Sequence, residues 1–92
     1  MMTNQERIAA FQSSLQKQLQ PSHLVIEDES HLHAGHAGAA GGAGHFRIRI
    51  TAQAFTGLNS VARHRLVYSA LKGFMPHEIH ALAIHALAPN ES

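Results

Sequence analysis

The side chains with the most chemistry to offer are nine histidines in a chain of 92 residues that has no cysteine. Imidazole titrates near neutral pH and is the commonest metal ligand among side chains. Three of the nine crowd into the stretch His31-Leu32-His33-Ala34-Gly35-His36, and three nearby imidazoles suffice for a weak zinc or nickel site. The rest are spread along the chain, unlike a purification tag. The absence of Cys excludes a disulfide framework, a thiol nucleophile and a self-contained thiolate cluster. Glu27, Asp28 and Glu29 are consecutive, so they alternate faces at a strand end and cannot act together as a catalytic pair. No Ser-His-Asp order can be assembled from spacing either, and the chain is read as non-catalytic.

These residues must be positioned by a small number of elements. Ile8, Phe11, Leu15 and Leu19 recur at helical spacing, and Thr3 with Glu6 matches a capping box. Pro21 ends that helix. Leu24 to Glu27 alternates as a short strand, and residues 30–44 offer little but Gly, Ala and His, which reads as a long mobile loop. His45 to Ile50 alternates cleanly, with Phe46, Ile48 and Ile50 toward a core and His45, Arg47 and Arg49 outward. Phe55-Thr56-Gly57 reads as a turn, with Asn59 or Ser60 as the cap of a second helix. Val67, Ala70, Leu71 and Phe74 form its stripe, and Gly73 and Pro76 mark its end. A short helical turn near 77–79 precedes a last strand over 81–88, with Leu82 and Ile84 inward.

The predicted order is α-β-β-α-α-β in one α/β (α+β) domain over 1–92, with its core between about residues 5 and 88. The first two strands form an antiparallel hairpin, and the second and third a right-handed parallel crossover. Both long helices then cover one face of a three-stranded mixed sheet.

Seven Lys and Arg against six Asp and Glu leave a charge of +1, far from a polybasic footprint. The cations nevertheless gather in the second half. Arg47 and Arg49 on a strand, with Arg63, His64, Arg65 and Lys72 on the second helix, make up the basic face that a nucleic acid would use. The quartet Gly41-Gly42-Ala43-Gly44 lies between strands, not between helices where a KH domain carries its Gly-x-x-Gly loop. No apolar run is long enough to cross a bilayer, and the first residues lack the apolar core of a secretory signal. A cytoplasmic, non-membrane protein is the expectation.

The blocks Asp28-Glu29-Ser30-x-x-His33, His45-Phe46-Arg47-Ile48, Phe55-x-Gly57, Val61-x-Arg63-His64-Arg65-Leu66-Val67-Tyr68-x-x-Leu71 and Ile79-His80-Ala81-Leu82-Ala83-Ile84 resemble, in this order, the BolA family. The resemblance spans roughly residues 5–88 and implies a fold related to the type II KH domain. It implies a non-catalytic adaptor that binds a monothiol glutaredoxin and shares a 2Fe–2S cluster with it, glutathione being supplied on the partner's side. The resulting role would be cluster trafficking or iron sensing. It also implies, as the alternative, a stress-response regulator of transcription that binds DNA through the second helix. The resemblance carries two ligand positions over, His80 and the loop histidine His33, with His36 and His45 as alternates because the loop is histidine-rich and long. A chain without Cys fits such sharing, since imidazole replaces two thiolates in Rieske-type clusters. Alone, the chain is expected to be a monomer or weak homodimer.

Overall fold

The computed structural model describes residues 2–30 and 43–91. Nearly all of the expected loop over 30–44, with His31, His33 and His36, lies outside the described residues. Helix α1 spans Asn4–Leu19. Its start is the capping box expected from the sequence: Thr3 Oγ1 accepts from the Glu6 amide at 3.1 Å, and the Thr3 amide donates to Glu6 Oε1 at 2.8 Å. The same bonds hold the Glu6 carboxyl below its usual range, chiefly through the Thr3 amide. The chain leaves α1 through Gln20 in the left-handed region, φ 48°, ahead of Pro21.

Strand β1, His23–Asp28, pairs antiparallel with β2, Gly44–Thr51. Helix α2, Ser60–Leu71, begins on Asn59, whose side chain accepts from the Ala62 amide at 2.9 Å. Strand β3, Ile79–Leu87, then pairs parallel with β2, giving the order β1-β2-β3. This is the mixed three-stranded sheet with two helices read from the sequence. The short helical turn expected near 77–79 is not found there; the crossover instead carries a single 3-10 turn at Lys72–Phe74, directly after α2. Gly73 and Pro76 shorten it, and the strand begins at Ile79, two residues earlier than periodicity suggested.

The core lies between the helices and one sheet face. Phe11 and Leu15 of α1 meet Phe46, Ile48 and Ile50 of β2 and Val67, Ala70 and Leu71 of α2, with Phe55 and Ile79 closing the ends. Phe11 stands edge-on to both Phe46 and Phe74, with centroids 5.0 and 4.9 Å apart, a favoured aromatic arrangement. Ser14 Oγ donates to the Ala70 carbonyl at 2.5 Å and ties α1 to α2.

Candidate functional site

Strand alternation places His45 and Arg47 of β2 on the face opposite the helices, with Ala81 and Ala83 of β3 beside them. The pairing of β2 with β3 slips between Gly44 and His45. Gly44 faces Ile79 and His45 faces Ala81, so His80 is the unpaired residue of the slip. A bulge of this kind re-aims a side chain. Ile79 stays in the core while His80 is exposed.

The consequence is a pair of imidazoles. The rings of His45 and His80 are 5.1 Å apart between centroids and inclined by 49°. Two imidazoles on one metal ion, with metal–nitrogen bonds of about 2.0–2.1 Å and tetrahedral angles, have ring centres roughly 5 Å apart. The spacing of the pair therefore suits two nitrogen ligands of one iron or zinc. Among the described residues no three of His, Cys, Asp or Glu converge as a metal site, so further ligands would come from elsewhere. Beside the pair lies a shallow cleft of about 410 Å³ bounded by Glu29, His45, Arg47, Ala81 and Ala83. Arg47 Nε is 3.0 Å from Glu29 Oε2 across it.

His45 corrects one expectation. It sits on the outward face as alternation requires, yet it is only 6% exposed. Its backbone is held on both sides: its amide donates to Ser30 Oγ at 3.0 Å, and its carbonyl accepts from the Glu29 amide at 2.8 Å. The structure thus brings together His80 and the alternate His45. His33 and His36 lie outside the described residues.

The basic face is smaller than the sequence suggested. Arg63 is committed internally: Nε donates to the Leu58 carbonyl at 2.8 Å, Nη1 to the Ala86 carbonyl at 3.0 Å, and the fork grips Glu91 at 2.6 and 2.9 Å. That grip, with the Ala88 amide, holds the Glu91 carboxyl down to about 2 and raises Arg63 further. Arg47 pairs with Glu29, and Arg49 lies 3.9 Å from Glu27. His64 is half-buried beside Arg63 and His85 in a second small cleft. Arg65 on α2 and Lys72 in the turn after it remain exposed.

Sequence reading passed over a set of polar residues at the same end of the sheet. Arg7 is buried at the head of the α1 stripe, four residues before Phe11 and eight before Leu15. Its Nε meets Glu78 Oε1 at 2.7 Å and its Nη1 meets Asn4 Oδ1 at 2.8 Å. A cation in register with a buried stripe was the available signal.

A family model described as BolA-like protein matches residues 15–91. Protein BOLA1, chloroplastic, of Arabidopsis thaliana is 44% identical over 91 residues, which are 96% of this chain and 57% of that protein. The chain thus spans little more than half the length of that relative. The DNA-binding transcriptional regulator BolA of Haemophilus influenzae is 39% identical over 81 residues, 88% of this chain and 76% of that one. Among solved structures, the BolA domain of SufE1 from Arabidopsis thaliana superposes with a TM-score of 0.82 at 40% identity, covering 94% of this chain and 95% of that one. No helix among the described residues is long and apolar enough to cross a membrane.

Proposed function

The chain belongs to the BolA-like family, and from that premise we propose that it is a non-catalytic adaptor, completing with a monothiol glutaredoxin a shared 2Fe–2S cluster. The observation that carries the proposal is the approach of His45 and His80 to 5.1 Å on the open side of the sheet. A cluster of this type normally has four thiolate ligands, and imidazoles can take two of those places and raise its potential. This chain has no thiolate to give. His80 and one further histidine supply two nitrogens, and the partner's thiolates, with glutathione, supply the rest. His45 is the further histidine favoured by the geometry, with His33 and His36 of the loop as its competitors. When bound, the cluster supplies an electron acceptor and a transferable iron–sulfur unit. This chain would contribute two imidazole donors to it. The open face, with its Arg47–Glu29 pair, receives the partner. A soluble compartment, cytoplasmic or the lumen of an organelle, is part of this reading.

Anaerobic reconstitution with iron, sulfide, glutathione and a monothiol glutaredoxin tests it, read by size exclusion and visible circular dichroism. A coloured heterodimer with a spectrum unlike the glutaredoxin homodimer's is expected, and His80→Ala should abolish that spectrum. Single replacements of His45, His33 and His36 identify the second ligand: loss on His45→Ala alone assigns it to the strand. A mixture that shows only the glutaredoxin homodimer, or a spectrum indifferent to His80→Ala, overturns the adaptor reading.

The second reading is a DNA-binding regulator, favoured by the likeness to the Haemophilus influenzae DNA-binding regulator and by the exposed Arg65 and Lys72. Duplex affinity with a steep salt dependence, reduced by Arg65→Ala, would support it.

A further inference from the structure

The buried Arg7 is not needed to make α1 a helix, and an apolar side chain at the same place would be cheaper to bury. What it does touch is informative. Its guanidinium joins Glu78, two residues before His80, to Asn4 at the start of α1. Asn4 Nδ2 continues to Asp28 Oδ2 at 2.6 Å, Asp28 Oδ1 accepts from the Ser30 amide at 2.8 Å, and Ser30 Oγ accepts from the His45 amide at 3.0 Å. The Glu78 carbonyl also accepts from the Gly44 amide at 3.1 Å, next to His45. One continuous chain of hydrogen bonds therefore runs from the residue beside the His80 segment, through the first turn of α1, to the backbone of His45. It closes the end of the sheet where β1 finishes and β2 and β3 begin.

We propose that Arg7 is a positioning residue for the His45–His80 pair, holding the two imidazoles in register through Glu78 on one side and Asn4, Asp28 and Ser30 on the other. The inference rests on reading that pair as metal donors. Its logic is that of the outer partners of metal-bound histidines, whose loss typically lowers affinity by about 10–100-fold without removing a ligand. Asp28 and Ser30 of the Asp-Glu-Ser stretch then act as struts, while Glu29 between them faces Arg47. A sheet end braced in this way presents two nitrogens without waiting for the metal to gather them.

Bracing and stability are separable by mutation. In Arg7→Met/Glu78→Met the part-buried ion pair, 6% exposed at Arg7 and 23% at Glu78, is replaced by apolar side chains, an exchange that commonly leaves stability unchanged or improved. The variant should melt no lower than the wild type, yet lose the ring-to-ring nuclear Overhauser contact between His45 and His80 in the metal-free protein. Its affinity for cobalt(II), titrated alone by visible absorbance, should fall about 10–100-fold. Asn4→Ala, which cuts the other arm and leaves the ion pair intact, should show the same losses to a smaller degree and carries the test should the double variant fail to fold. Folded variants that keep the ring contact and bind cobalt(II) within about twofold of wild type would overturn the proposal, as would a wild type without the ring contact. If the wild type shows the contact and the variants lose it, while cobalt(II) binding is indifferent to His80→Ala, the bracing stands and the metal reading fails.

Discussion

A single methyl group measures how tightly the end of the sheet that carries His45 and His80 is packed. A Cβ on Gly44 would lie 2.5 Å from Cε2 of Phe46 and 3.1 Å from Ser30 Oγ. The Phe46 ring has nowhere to go, since Phe11 stands edge-on against it and it is 1% exposed. Gly44→Ala should therefore cost about 1–3 kcal/mol by urea denaturation; a loss below about 0.5 kcal/mol would show that the ring yields. In the sequence Gly44 is visible only as one of the three glycines in Gly41-Gly42-Ala43-Gly44, because the intruding side chain two residues on is a matter of local folding. The same holds for His45. Alternation gives the face it points to, but His80 comes to stand beside it through a register slip, and no pattern of residue types announces a slip.

At the scale of elements, the helices and central strand were the legible part. The α1 stripe, its capping box, the Phe46-Ile48-Ile50 alternation and the α2 stripe all carry strong periodic signals, and these residues form the core. Leu71 is fully buried at the end of α2, and Leu71→Ala should cost about 2–5 kcal/mol; a loss under about 1 kcal/mol in denaturant would mean that the helix packs through another face. The contacts between elements were not legible. Arg63 looked like part of a basic face, yet it clamps α2 to the end of β3 and to Glu91, a contact between residues 28 positions apart. That clamp has a pH signature. Glu91 is held at about 2, below its ordinary 4.5, so its contribution is complete above pH 4.5 and is lost as pH falls through about 2. Glu91→Gln should lower stability at neutral pH and flatten the decline of stability between pH 4.5 and 2, read by thermal melts across that range. Parallel declines in wild type and variant would show that the clamp does not form in solution.

Taken as a whole, the molecule separates its charges by layer. On the open sheet face Arg47 and Arg49 lie beside Glu29 and Glu27, and Arg7 and Arg63 are satisfied inside the fold. Among the described residues the cations without an ion pair are Lys17 at the end of α1, Arg65 on α2 and Lys72 in the turn after it, so the excess positive charge sits on the helical side. The imidazole pair lies on the other. If the chain binds duplex DNA, the helical side is where it would do so, and its strength is bounded by this arithmetic. Each neutralised phosphate adds about 0.9 to the slope of log affinity against log salt, so three cations give a slope of about 2.7 at most. Arg65→Ala should lower that slope by about 0.9 and weaken binding across sequences alike. A slope well above about 2.7 would mean that the ion pairs of Arg47, Arg49 or Arg63 open on binding, and the duplex would then reach the sheet edge as well. A slope near zero would leave the open face, with His45 and His80, as the side through which this molecule meets its partners.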